Sequence, residues 1–293
     1  EMVSKIDFSE TMLELFTKQG VPLIDEDIVK VEETIGKGSN GYTYKGRYQC
    51  KTVAIKEIVV DSNYRLKDLT ELCDEISLIY RTQHEMLPKL HGVVIKKSEA
   101  INLIYEFVDG YSLQEVYIGK DDKEKFEVIF QLCKVLNFLH TKKLVHRNIR
   151  PSKIMVENGE RIKIKLLDFG IPRRINNFHC FTKSSFRNTA YMAPECFDVD
   201  IDFDNSSKGI VPINRKVDVW AVGAITSEIF SGGVVPWSRK CKNVMSIEIQ
   251  LVKKKPFPVP EEVKNDYALK VIKAACVVDQ NERAGAKEIM DLI

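Results

Sequence analysis

The prevailing hydrophobic period of this chain shifts at Asp109-Gly110, from mainly strand-like to mainly helical, and that shift limits the folds open to it. Upstream, short runs at 31–35, 42–45, 53–55, 91–96 and 101–108 have the alternation or apolar density of β-strands. One upstream stretch differs: Leu69, Leu72, Ile76 and Ile79 recur every three or four residues across 66–82, the spacing of an amphipathic helix. Downstream, 123–141 places Phe126, Ile129, Phe130, Cys133, Leu136, Phe138 and Leu139 on a broad apolar face. Helical spacing returns at about 217–231, 243–253, 266–276 and 284–293, and Glu157-Asn158-Gly159-Glu160 reads as a hairpin tip. Ahead of all this, 5–18 carries Ile6, Met12, Leu13, Leu15 and Phe16 among polar residues and stops at Gly20-Val21-Pro22, a short helix leading inward. The expectation is an α+β, bilobal fold. A small antiparallel β lobe with one key helix occupies 28–108, a larger mainly helical lobe 109–293, and an N-terminal helical extension 1–27. A cleft between two such lobes is a favoured ligand site.

The 293 residues are 44% hydrophobic and 29% charged, which excludes a disordered or collagen-like chain. Lys and Arg number 44 against 42 Asp and Glu, so the net charge of +2 gives no case for nucleic acid or an anionic membrane as partner. Seven cysteines stand singly, with no C-x-x-C pair. That argues against a disulfide framework or zinc site and for reduced thiols in a cytoplasmic compartment. No run approaches the ~18 apolar residues of a membrane span, and no signal-peptide pattern opens the chain. A sequence that starts at Glu1 reads as a piece of a longer one. Residues 198–207 form an acidic stretch, read as a solvated surface insertion.

Gly36-Lys37-Gly38-Ser39-Asn40-Gly41 lies between two strand-like runs. Glycines at this spacing let backbone N–H groups approach phosphate oxygens that a Cβ would obstruct. Alone, the pattern fits a plain hairpin turn equally well, and the strand that follows it disfavours a dinucleotide site, which needs a helix there. Lys56 then ends the apolar run Val53-Ala54-Ile55, and Glu75 lies on the helix at 66–82, where it could pair with that lysine. Further on stand His146-Arg147, Asp168-Phe169-Gly170, Ala193-Pro194-Glu195, Asp218-Val219-Trp220 and Arg283.

In this order and at these intervals, these residues resemble the eukaryotic protein kinase set, from about residue 28 to the C-terminus. The resemblance implies that the loop from Ile35 through Gly36, Lys37, Gly38, Ser39, Asn40 and Gly41 covers the phosphates of ATP. It implies that Lys56, held by Glu75, pairs with the α/β-phosphates, and that Asp168 binds Mg²⁺. Thr43, where the family prefers valine, and Ala54 fall at the adenine. Glu106 and Val108 belong to the hinge at 106–110, and a bulky Tyr105 just before it implies a shallow back pocket. Glu195 and Arg283 match the family's buried ion pair. Thr189-Ala190-Tyr191-Met192 looks like the serine/threonine or tyrosine-kinase-like (TKL) groups.

The catalytic loop departs from the family's H-R-D-x-K-x-x-N. It reads His146-Arg147-Asn148-Ile149-Arg150-Pro151-Ser152-Lys153. Asn148 replaces the aspartate base, and an amide orients a hydroxyl without taking its proton. Arg150 replaces a lysine at equal charge. Lys153 replaces the asparagine that holds the second Mg²⁺, and an ammonium has no lone pair for a metal. Its charge would instead neutralise Asp168 or the phosphates, which weakens the case for Mg²⁺; in the other reading Lys153 points to solvent.

With no catalytic residue intact at Asn148, Arg150 and Lys153, the first expectation is a pseudokinase. Such a domain binds ATP with weak or no metal dependence and acts with unidentified signalling proteins as a scaffold or switch, not as an enzyme. Thr182, Ser184 and Ser185 are its candidate phosphoacceptors, with Arg147 as partner for the added charge. The alternative is an active serine/threonine kinase, either because Asn148 was introduced deliberately or because catalysis proceeds without the base. A binding module that no longer takes nucleotide is a third reading, opposed by the retained glycines, Lys56 and Asp168.

Overall fold

Asp7 opens the first helix: its side chain accepts the N–H of Glu10 at 3.0 Å, and α1 runs Phe8–Gln19 until Gly20, at φ 69°, closes it. In this computed structural model, residues 7–37, 41–60, 64–116, 121–168, 186–197 and 214–293 are described. Phe8, Met12 and Phe16 line the buried face of α1. Met12 and Phe16 are wholly buried, and each such side chain contributes about 1.5–3 kcal/mol. The chain then lays Leu23 against Val93 as a parallel bridge.

Contacts divide the chain into two compact units, Glu1–Asp109 and Gly110–Ile293. In the first, β1 (Val29–Lys37), β2 (Tyr42–Tyr48), β3 (Lys51–Val59), β4 (Leu90–Lys96) and β5 (Ala100–Glu106) form one antiparallel sheet in the order β1-β2-β3-β5-β4. Alternation along β3 sends Val53 and Ile55 into a buried cluster with Ile24, Val94 and Ile104. α2 (Leu66–Arg81) buries Leu69, Leu72, Cys73, Ile76 and Ile79, the stripe its spacing predicts.

In the second unit, β6 (Gly110–Ser112), β7 (Ile154–Glu157) and β8 (Ile164–Leu166) make a small antiparallel sheet. Its helices are α3 (Leu113–Val116), α4 (Asp122–Thr141), α5 (Phe186–Thr189), α6 (Lys216–Phe230), α7 (Val244–Val252), α8 (Asp266–Ala275) and α9 (Ala286–Met290). α6 is buried on every side from Val217 to Phe230, the mark of a central helix. A Cβ on Gly223 would lie 2.5 Å from Cys276 Sγ and 2.8 Å from Ala275 Cβ, so glycine lets α6 and α8 close. Phe130 corrects the expected face of α4: it is 38% exposed, because the core stripe runs through Ile129, Leu132, Cys133, Leu136 and Leu139. The expected α+β architecture is the observed one. Among the described residues no helix is long and apolar enough to cross a membrane. Gly38, Ser39, Asn40, Phe169, Gly170, Thr182, Ser184, Ser185 and the acidic stretch 198–207 lie outside the described residues.

Candidate active site

In the first unit the sheet register sets Gly36, Thr43, Lys56 and Leu103 in one cross-strand row. Ala54, opposite Lys45 and Tyr105, forms the next row on that same face. This is the face turned away from the Val53/Ile55 cluster. Gly36, Thr43, Ala54, Lys56 and Tyr105 are half-buried there, while Ile35 and Lys37 are exposed on β1. Gly41, at φ +152°, must be glycine: a Cβ would meet the Glu57 backbone oxygen at 2.3 Å. Gly41 is thus held close to β3. Glu106 pairs its N–H with Lys89 O at 2.8 Å and its carboxylate with Lys89 N at 3.1 Å, and Val108 is buried beyond it. Lys56 on β3 and Glu75 on α2 are half-buried, and neither is without a partner. Sequence reasoning missed Lys45, whose ammonium lies 5.4 Å from the Phe107 ring and 3.2 Å from Glu33; its place is visible only in the register.

In the second unit Asp218, on the first turn of α6, organises the loop at 146–148. Its carboxylate accepts the N–H groups of His146 at 2.8 Å and Arg147 at 2.7 Å, and His140 Nε2 at 2.9 Å. Arg147 sits at φ +68°, a left-handed conformation that costs energy for a side-chain-bearing residue and here is fixed by those two bonds. His146 Nε2 lies 3.1 Å from Leu167 O, and its Nδ1 accepts the Asn148 N–H at 3.3 Å. A carbonyl can only accept, so the proton is on Nε2 and the ring is neutral.

Burial depresses the His146 imidazole below its usual 6.5, outweighing the charge of Asp218. Burial alone would raise the Asp218 carboxyl, but the His140 bond, the two histidines and the Arg147 N–H hold it below 3.8. Both shifts favour the deprotonated form, so both stabilise the fold above the unfolded values and lose that stability as pH falls. Melting temperature is therefore expected to drop as pH is lowered from about 7 through the histidine range, with a shallower slope in His146→Phe. A wild-type melting temperature flat across that range contradicts this account.

The turn Pro151–Lys153 returns to β8 through Leu167 N–H to Lys153 O at 2.7 Å. That bond brings the Lys153 ammonium onto Asp168 Oδ2, where the two form a close ion pair. Asp168 itself is at φ +46°. The donor set decides what fits: a carboxylate is a hard oxygen ligand suited to one Mg²⁺, whereas the adjoining ammonium cannot ligate a second. Arg150 is half-buried near Asp168 and Tyr191; burial lowers its guanidinium, and Nε has no hydrogen-bond partner. Two cations beside one carboxylate suit an anionic ligand. Asn148 stands exposed two residues before Arg150.

The expected Glu195–Arg283 pair is present as a two-pronged bridge, Nη1 to Oε1 at 2.6 Å and Nη2 to Oε2 at 2.9 Å. Arg283 also donates to Val277 O and Lys216 O and lies 5.1 Å from the Trp220 ring.

A family model described as "Protein kinase domain" matches residues 29–292. The chain is 29% identical over 240 residues to serine/threonine-protein kinase TIO of Arabidopsis thaliana, covering 80% of this chain and 16% of that one. It is 28% identical over 274 residues to mitogen-activated protein kinase kinase kinase 2 of the same plant, covering 88% and 39%. Serine/threonine-protein kinase dst1 of Dictyostelium discoideum is 27% identical over 288 residues, covering 95% and 36%. The chain thus spans well under half the length of these relatives. With a match reaching from the first strand to the last helix, the chain belongs to the protein kinase family.

Proposed function

We propose that the chain is the catalytic domain of a serine/threonine protein kinase, transferring the γ-phosphoryl group of ATP to a protein hydroxyl. The observation that carries this is that relatives aligned over 80–95% of the chain are named as protein kinases, two of them as serine/threonine-protein kinases and one as a mitogen-activated protein kinase kinase kinase. The same finding corrects the expectation of a pseudokinase scaffold without phosphotransfer and favours the alternative. Physical magnitudes agree. A base is worth ~10²–10⁴-fold, a small part of the ~10⁶–10¹⁷-fold that enzymes supply. Phosphoryl transfer also has a loose transition state, in which positioning and charge neutralisation dominate.

Family membership implies ATP binding, usually with Mg²⁺, which when bound neutralises the β- and γ-phosphate oxygens. In this reading Lys56 holds the α/β-phosphates and Glu75 orients it. The loop 35–41 covers the phosphates, and Thr43, Ala54, Tyr105, Glu106 and Val108 contact or border adenine. Asp168 would hold one ion, and Lys153 supplies a single positive charge where a second ion would sit. Asn148 orients the acceptor hydroxyl while Arg150 neutralises the transferring group. The domain spans 28–293, with its N-lobe at 28–108, its C-lobe from 109 and an extension at 1–27. Its TKL-like character rests on 189–195, and single cysteines support a cytoplasmic setting. Transfer of radiolabelled phosphate from ATP to a generic protein substrate tests the reading. Wild type is expected to work at roughly 10⁻⁴ to 1 s⁻¹, which is an ordinary kinase rate less the base. Lys56→Met should remove it; a wild-type signal no higher than that variant's sinks the proposal.

A further inference from the structure

We infer that the segment 8–24 is a built-in clamp on α2, and that Gln19 and Arg81 are positioning residues for Glu75. The segment lies outside the matched 29–292, yet it is tied to the first unit at both ends. At α2, Gln19 Nε2 donates to Asp74 Oδ1 at 2.6 Å, one residue before Glu75. Arg81 Nη2 donates to Gln19 O at 2.7 Å and to its Oε1 at 3.2 Å. Asp74 and Arg81 lie about two turns apart on one face of α2, so Gln19 grips the helix at two heights. Beneath these bonds Met12 and Phe16 are wholly buried.

At the sheet, Ile24 donates to Val93 O at 2.8 Å and Val93 to Pro22 O at 2.9 Å. The approach is close enough that a Cβ on Gly92 would stand 2.5 Å from Pro22 O. One short segment therefore fixes α2 to β4. Any rotation that swings Glu75 must break the Gln19 bonds or drag α1 and the Leu23–Val93 bridge with it. The consequence for catalysis rests on the kinase reading of Glu75; the clamp does not.

The test compares Gln19→Ala/Arg81→Ala with wild type by amide hydrogen exchange in nucleotide-free protein and by ATP kinetics. Exchange over 74–81 is expected to quicken about tenfold, equivalent to ~1.4 kcal/mol of local stability. KM for ATP should rise about fivefold, at the low end of site-to-site coupling, with the melting temperature nearly unchanged. Arg81→Lys alone, which keeps a donor for the Gln19 carbonyl, should retain near wild-type behaviour. Unchanged exchange overturns the clamp whether or not the chain transfers phosphate. Faster exchange with an unchanged KM in an active wild type overturns the positioning role. Faster exchange in a chain whose wild type is inactive upholds the clamp and removes only the kinase reading.

Discussion

Asn148→Asp is expected to raise kcat by about 10²–10⁴-fold while leaving KM for ATP unchanged, the range ascribed to a positioned general base. In energy that is roughly 3–5.5 kcal/mol of barrier. The gain should be realised because the loop backbone does not depend on the side chain at 148. Asp218 holds the N–H groups of His146 and Arg147, and His146 Nδ1 holds the N–H of Asn148. The substitution therefore changes proton affinity and little else. Adding Lys153→Asn removes the ammonium from Asp168 and restores an amide oxygen. The double variant is expected to show a second, steeper Mg²⁺ requirement that Asn148→Asp alone lacks. Initial rates across a Mg²⁺ titration measure both effects. A gain below about tenfold from Asn148→Asp would mean that proton acceptance at 148 does not limit turnover.

Arg283→Met is expected to destabilise the fold by about 3–5 kcal/mol, the usual result of leaving one member of a buried ion pair behind. For a unit of this size that corresponds to a fall of roughly 10 °C in melting temperature. Glu195 is 5% exposed and Arg283 1%, so water cannot replace the lost guanidinium. The change also removes the donor to Val277 O and to Lys216 O and the cation over Trp220. Adding Glu195→Leu should recover part of the loss, since no charge is then stranded. Calorimetric melting of the single and double variants decides it. A double variant less stable than Arg283→Met would show that the carboxylate has another purpose.

The fold was legible wherever burial imposed a period. α2, α4 and α6 each carry a stripe, or a continuous run, of apolar residues that only a packed helix explains, and β3 alternates around Lys56. Phe130 was misplaced because a large apolar side chain beside a stripe is indistinguishable from one within it until the neighbouring elements are in place. Asp218 was visible as an acid inside an apolar helix, but its duty was not, since its backbone partners lie 71 and 72 positions away.

The sequence alone determined the two element classes, an amide at 148 and a positive charge at 153, because side-chain chemistry and local period need no third dimension. Only tertiary structure decided that Lys153 closes on Asp168, that Asp218 fixes the loop carrying Asn148, and that Gln19 meets α2. Each of those contacts joins residues far apart in the chain, and their meeting depends on the path of the backbone between them.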